Sequence, residues 1–316
     1  MVKSVPNSPK KFLPETGDID YLKLSDLTII RTGFFPAKGV LKATVLLLNG
    51  HREFLEKYSE FIEDFQNRSF NVYSIDHRGQ GLSDRALKDR RKSHNPDLNK
   101  LVSDINEYCT VKIKPDQLNH PFYIVAHSLG SHLALRYLAE YPNVVGKALL
   151  LSPFTDLTNR ASIFVWFSKI YFWLMNAIGF AEAFAAGQAK GRNMINHKQA
   201  FSKLTHDEKR YQWSQDALIE NPDLFIGGVT YGGAAGTVKS LKKLVQEDYL
   251  HNIKTPILCL LSEEEYVVNN KSTISLLENI DSATVEFIAG ARHEIYREKD
   301  EIRNLLWQQI DGFLKT

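Results

Sequence analysis

The segment YIVAHSLGSHLALRYL, Tyr123 to Leu138, passes from an apolar run through His127-Ser128-Leu129-Gly130 into a helical pattern. A serine at such a strand-to-helix corner sits where a G-x-S-x-G turn exposes a nucleophile. A hydroxyl attacks a carbonyl only when a nearby base takes its proton, and that base needs a third group to orient it. The chemistry on offer is acyl transfer through a covalent intermediate. Ala126 stands where the first glycine of the pattern would be. The turn is strained at positive φ, and the residues two before and two after the serine pass each other closely. Gly130 supplies the tighter of these positions, and the methyl of Ala126 is the smallest possible addition at the other. The elbow is expected to survive it.

With an elbow of this kind, the acid and then the histidine follow the serine along the chain. Of ten histidines only His293 lies beyond residue 251, in GARHEIY after the run ATVEFIA, and it is the expected base. The acid should come from the loop after TPILCLLS, which reads SEEEYVV. Tyr266-Val267-Val268 returns the chain to the core, which favours Glu265, with Glu264 as the alternative. The remaining glutamates of the run read as surface charge. Donors for a tetrahedral oxyanion are expected from the backbone N–H of Leu129, within the elbow, and of His51, after VLLLNG.

These residues must be held by a sheet. Apolar runs without strict alternation (KATVLLLNG, FNVYSID, PFYIVAHS, KALLLSP, TPILCLLS and ATVEFIAG) are spaced by helical patterns. That succession implies a mostly parallel sheet covered by helices on both faces. LTIIRTG ahead of it suggests an entry hairpin. From Phe154 to Leu250 the strand pattern breaks into helical stretches containing GGVTYGGAAG. The expected organisation is a polar N-terminal arm over 1–20, an α/β core over 21–153 and 251–316, and a helical cap inserted over 154–250. An insertion there is placed to cover the C-terminal strand ends, where open parallel sheets bind ligands.

The 316 residues, 43% hydrophobic and 24% charged with a net charge of +2, describe an ordinary globular chain without a nucleic-acid footprint. Cys109 and Cys259 fall in apolar or helical surroundings and read as reduced core residues in a reducing compartment. The opening MVKSVPNSPKKFLPETG lacks an apolar signal region, so a cytoplasmic location, with the inner face of a membrane open, is expected. Residues 161–180, ASIFVWFSKIYFWLMNAIGF, are long and apolar enough to consider as a span. Lys169 near its centre would cost about 2.5–3.5 kcal/mol, and a span would part Ser128 from His293. A lid or interface helix is the better reading. No cofactor, zinc-like cluster or P-loop is visible.

NGHREFLEKYSEFIEDFQNRSFNVYSIDHRGQGLSDR, with its DHRGQG core from Asp76, resembles the bacterial lysophospholipases related to monoacylglycerol lipase, within the α/β-hydrolase superfamily. The resemblance continues through AHSLGS, FAAGQAKGRN, NHKQAFSKLTHDEKRY, NPDLFIGGVTYG, SEEEYVVNN and GARHEIYREKDEIR. It implies an α/β-hydrolase fold with Ser128 as nucleophile, Glu265 as acid, His293 as base, and the amides of His51 and Leu129 as oxyanion hole. It also implies a cofactor-free carboxylester hydrolase acting on lysophospholipids or monoacylglycerols. Two positions depart from the pattern: Asn49 replaces the histidine of an HG pair, and Ser131 replaces a second glycine after the elbow. Asp76-His77-Arg78 reads as structural, tying its loop beneath the site. Phe164, Trp166, Phe167, Tyr171, Phe172 and Trp173 form an aromatic-rich segment. It could cover an acyl tunnel, touch a membrane surface or pack on its own domain. Lys169, Lys190 and Arg192 could meet a phosphate headgroup or lie in solvent. A short-chain esterase, a lipid acyltransferase and a non-catalytic binding protein are the competing readings, and the oligomeric state is not legible.

Overall fold

Strand β3 (Ala43–Leu48) is buried at every position, and its side chains divide between two cores. Val45 and Leu47 join one hydrophobic cluster, Leu46 and Leu48 the other, in the period of two that a strand imposes. Tyr123 and Val125 divide likewise from Ile124 and Ala126, as do Leu258 and Leu260 from Cys259 and Leu261. Burying one such Leu or Val contributes about 1.5–3 kcal/mol. A single polar substitution in these strands would therefore oppose both sheet and core.

The computed structural model describes residues 10–156, 170–188, 197–246 and 248–315. The other strands are β1 (Asp18–Lys23), β2 (Ile29–Phe35), β4 (Phe70–Ile75), β5 (Phe122–His127), β6 (Lys147–Leu151), β7 (Ile257–Ser262) and β8 (Ala283–Ile288). They form one sheet in the order β1-β2-β4-β3-β5-β6-β7-β8. β1–β2 and β2–β4 pair antiparallel, and every pair from β4–β3 onward is parallel. Helices α1 (Ser59–Asn67), α2 (Asn99–Tyr108) and α3 (Leu129–Glu140) follow β3, β4 and β5 in turn. Between β6 and β7 come α4 (His197–Leu204), α5 (Glu208–Glu220) and α6 (Tyr231–Leu244); α7 (Asn270–Leu277) and α8 (Asp300–Lys315) flank β8. The chain thus has the α/β-hydrolase architecture, a mostly parallel sheet with helices on both faces.

Two local differences from the sequence reading have plain causes. The polar arm expected over 1–20 already contains structure: β1 starts at Asp18, and Phe12 and Leu13 are buried. Phe12 stacks edge-on against Trp213 with ring centroids 5.0 Å apart, a long-range contact that local polarity conceals. The entry hairpin is made by β1 and β2 and turns at Leu27, whose φ is 69°, so its first strand lies upstream of LTIIRTG and begins within the segment read as a polar arm.

The glycines of YGGAAG have a packing role. A Cβ at Gly236 would meet the main-chain oxygens of Asn95 and Pro96 at 2.5 and 2.6 Å, so α6 lies directly on that loop. Thr230 caps the helix by accepting from Gly233 N–H at 3.0 Å. Residues 91–93 hold 227–230 by main-chain bonds, Gly227 to Arg91, Ser93 to Gly228 and Thr230 to Ser93.

Candidate active site

Ser128 occupies the corner between β5 and α3 with φ 51° and ψ −112°. Its strain is held by neighbours: Ser128 N–H donates to Leu151 at 2.9 Å, and its carbonyl accepts from Phe154 and His132. A Cβ at Gly130 would collide with the backbone of Leu48 and Asn49, so glycine there lets α3 approach the end of β3. Ala126 is wholly buried between its neighbours Leu48 and Leu150 on the adjoining strands. Ser131, the departure after the elbow, turns its hydroxyl back to donate to the Ala126 carbonyl at 2.8 Å. The substitution thus adds a tie across the corner without widening it.

Loops at the ends of β7 and β8 bring two further side chains to this corner. His293 Nε2 lies 3.1 Å from Ser128 Oγ, and His293 Nδ1 lies 2.9 and 3.1 Å from the two oxygens of Glu265. Glu265 also accepts from Ser262 Oγ at 2.6 Å and from the amides of Val267 and Val268 at 2.6 and 3.1 Å. The turn that carries the chain back to the core therefore captures this carboxylate and no other of the run. Glu264 reaches outward to His206 and Arg292, at 3.3 and 3.4 Å, and Glu263 accepts from Gly290 N–H.

Burial alone would raise the Glu265 pKa. The charge of His293 and the hydrogen bonds from His293, Ser262 and Val267 outweigh it and hold the carboxyl at about 2. For His293 burial acts downward, and the adjacent Glu265 charge and hydrogen bond overcome it, leaving the imidazole above its ordinary value. A base that readily holds a proton beside a carboxylate that stays ionised is suited to shuttle one proton.

Leu129 N–H opens α3, where the first turn has no intrahelical acceptor. On the other side the Asn49-Gly50-His51 loop follows β3. Asn49 points down into the sheet, donating to the Ile75 carbonyl at 3.1 Å, so its side chain is a strut of the loop. The imidazole of His51 lies 2.8 Å from Ser93 Oγ. Gln80 braces the loop twice, accepting from Arg52 N–H at 2.6 Å and donating to the Gly50 carbonyl at 3.0 Å. Asp76 accepts from Leu55 and Leu82 amides and from a wholly buried Arg31, and Arg78 donates to Asp104 and Asp26. These bonds tie together the loops under the corner.

Sequence reasoning missed the layer behind His293. His127 Nε2 donates to the main-chain oxygen of His293 at 3.1 Å, and its Nδ1 lies 3.1 Å from Glu53. Glu53 also accepts from Gly50 N–H, Tyr58 hydroxyl and Lys57 Nζ. Lys57 continues to Glu294, and Glu294 to Arg297. His127 was conspicuous beside Ser128, but its partner 74 positions upstream carries no local signal.

The corner opens into a cavity of about 330 Å³ lined by Ser128 and His293. Phe54, Leu204, Leu218, Leu224, Phe225 and Ile226 give it an apolar side, and Arg52, Glu53, Lys57, Glu294 and Arg297 a charged one. A larger cleft of about 580 Å³ lies between Lys11, α1 and α5; it shares Lys57 and Arg297, but Ser128 is not in its wall. Among the described residues no helix is long and apolar enough to cross a membrane. Phe164, Trp166, Phe167, Lys169, Lys190 and Arg192 lie outside the described residues.

Fold and corner define a serine hydrolase of the α/β-hydrolase class. The chain matches the family described as serine aminopeptidase, S33 (Hydrolase_4) over residues 39–300, and it belongs to that family. It is 29% identical to the probable lysophospholipase L2 of Haemophilus influenzae over 279 residues, 88% of this chain and 86% of that one. With lysophospholipase L2 of Escherichia coli K12 it shares 28% identity over 276 residues, 85% and 79% of the two chains. In structure it resembles a soluble variant of monoglyceride lipase from Saccharomyces cerevisiae, with a TM-score of 0.75 at 15% identity over 98% of this chain and 99% of that one.

Proposed function

We propose that the chain hydrolyses monoacyl lipid esters, lysophospholipids or monoacylglycerols, through an acyl-enzyme on Ser128. The observation that carries this reading is the relay from Ser128 Oγ through His293 to Glu265, opening on a cavity with an apolar wall. The names borne by the relatives, lysophospholipase and monoglyceride lipase, support the substrate class.

In this mechanism His293 Nε2 takes the Ser128 proton as Oγ attacks the ester carbonyl. Glu265 stabilises the imidazolium, and the amides of Leu129 and His51 receive the oxyanion. The C–O bond to glycerol breaks, the departing oxygen takes the proton from His293, and the fatty acyl group stays on Ser128. Water then gives a proton to His293 and its oxygen to the acyl carbon; the fatty acid leaves, and the proton returns to Ser128. A lipid hydroxyl in place of water would give acyl transfer by the same steps.

Residues 154–250 act as the cap in this account. Leu204, Leu218, Leu224, Phe225 and Ile226 from that stretch form most of the apolar wall facing Ser128. The same stretch exposes Ile170, Tyr171, Trp173, Leu174, Ile178 and Phe180, an apolar patch suited to rest on a lipid surface. A fluorophosphonate probe tests the nucleophile: it should label wild type at Ser128 and leave Ser128→Ala unlabelled. Equal labelling of both proteins would refute the assignment.

A further inference from the structure

Among the described residues, Arg52 is the one charged side chain of the cavity wall without an opposite charge. Glu53 is paired with Lys57 and His127, and Glu294 with Lys57 and Arg297. Two carboxylates there meet two cations, Lys57 and Arg297, and Glu265 faces His293. Arg52 forms no ion pair among the described residues; its Nε donates to the Ile226 carbonyl at 3.1 Å, leaving the terminal guanidinium nitrogens without a carboxylate. The segments 157–169 and 189–196, which flank the described part of the insertion, contain no aspartate or glutamate; Glu247 is the acidic side chain outside the described residues.

Its backbone is also unusual. Arg52 sits at φ 64°, in the left-handed region that non-glycine residues rarely adopt. Gln80 accepts its N–H, and the preceding His51 belongs to the proposed oxyanion hole. Strain of this kind persists where the surroundings over-determine it, often at sites that clamp a ligand. An unpaired guanidinium in a partly apolar cavity is costly by itself and is stabilised when an anion enters. Guanidinium geometry matches phosphate oxygens especially well.

We propose that Arg52 binds the phosphodiester of the substrate, so that the site prefers a lysophospholipid over a neutral monoacylglycerol. This rests on the monoacyl-lipid reading and narrows it. With the acyl chain on the apolar side and the ester carbonyl at Ser128, the phosphate lies a glycerol's length from the reacting atoms, on the charged side of the cavity. Arg52 acts there as a specificity determinant, and the chemical steps do not use it.

The test compares kcat/KM for monomeric medium-chain lysophosphatidylcholine with that for the monoacylglycerol of the same chain. Wild type, Arg52→Gly and Arg52→Lys are measured, glycine because it relieves the positive φ while removing the charge. The ratio should favour lysophosphatidylcholine in wild type, fall about tenfold or more in Arg52→Gly, chiefly through KM, and be partly kept by Arg52→Lys. In wild type, added salt should raise KM for lysophosphatidylcholine and leave that for monoacylglycerol nearly unchanged, a reading that needs no variant to fold. An unchanged ratio in Arg52→Gly, with Ser128-dependent hydrolysis intact, overturns this assignment alone. Inhibition by inorganic phosphate that disappears in Arg52→Gly without any change in the ratio assigns the site to free phosphate and overturns the headgroup role. Failure of wild type to hydrolyse either lipid removes the underlying reading as well.

Discussion

At the scale of single residues, the relay separates one glutamate from its two neighbours. Glu265→Gln removes the charge that stabilises the imidazolium and should lower kcat on the order of 10⁴-fold. Glu264→Gln, at a side chain turned toward Arg292, should change kcat by less than about threefold in the same assay. Equal losses in the two variants would contradict Glu265 as the acid. The pH profile follows with a definite sign. In the proposed relay His293 can take a proton only when neutral, and Glu265 raises its pKa, so kcat/KM should fall on the acid side with a midpoint above the ordinary imidazole value. In Glu265→Gln the residual activity should show that limb displaced to lower pH.

Ser128, Glu265 and His293 were legible because chain order and turn position act locally: a corner serine, a lone late histidine, and a glutamate just before the chain re-enters the core. The supports of the site were not. Glu53 meets His127, and Lys57 meets Glu294, across 74 and 237 positions, and no period or motif marks such pairs. Buried ion networks of this kind are chosen by three-dimensional complementarity. In the sequence they look like the charges of any surface.

At the scale of elements, the elbow depends on how closely α3 approaches β3. Gly130→Ala would drive a methyl into the Leu48 and Asn49 backbone, which cannot yield as a flexible side chain would. The expected loss is about 1–3 kcal/mol of unfolding free energy, with kcat falling further because Leu129 N–H and Ser128 move together. Denaturant unfolding and ester hydrolysis measured in parallel would check this; wild-type values in both would contradict the close approach. Ala126→Gly removes only a methyl and should leave the turn formed. The strands were readable for a related reason: burial on both faces writes a continuous apolar run, as in ATVLLL and ILCLLS. Edge strand β1, with its exposed and half-exposed DIDYLK, writes no such run, and its place depends on pairing with β2.

At the scale of the whole molecule, sheet and inserted helices divide the labour. The strand ends carry Ser128, Glu265 and His293, and the stretch between β6 and β7 supplies most of the apolar cavity wall. The exposed patch around Trp173 and Phe180 belongs to the same stretch, which would bring substrate capture and the cavity side by side. Trp173→Glu combined with Phe180→Glu should reduce the fraction of protein that co-sediments with phospholipid vesicles by severalfold; an unchanged fraction would exclude this patch as the lipid contact.

Fatty-acid release by wild type and Ser128→Ala, side by side, is the decisive measurement of whether Ser128 hydrolyses monoacyl lipids. The substrates are lysophosphatidylcholine, lysophosphatidylethanolamine, monoacylglycerol and short p-nitrophenyl esters. Wild type should release fatty acid from the monoacyl lipids, and the release should disappear in the mutant. Folded wild type that releases nothing from any ester, or a mutant that releases as much as wild type, would contradict this.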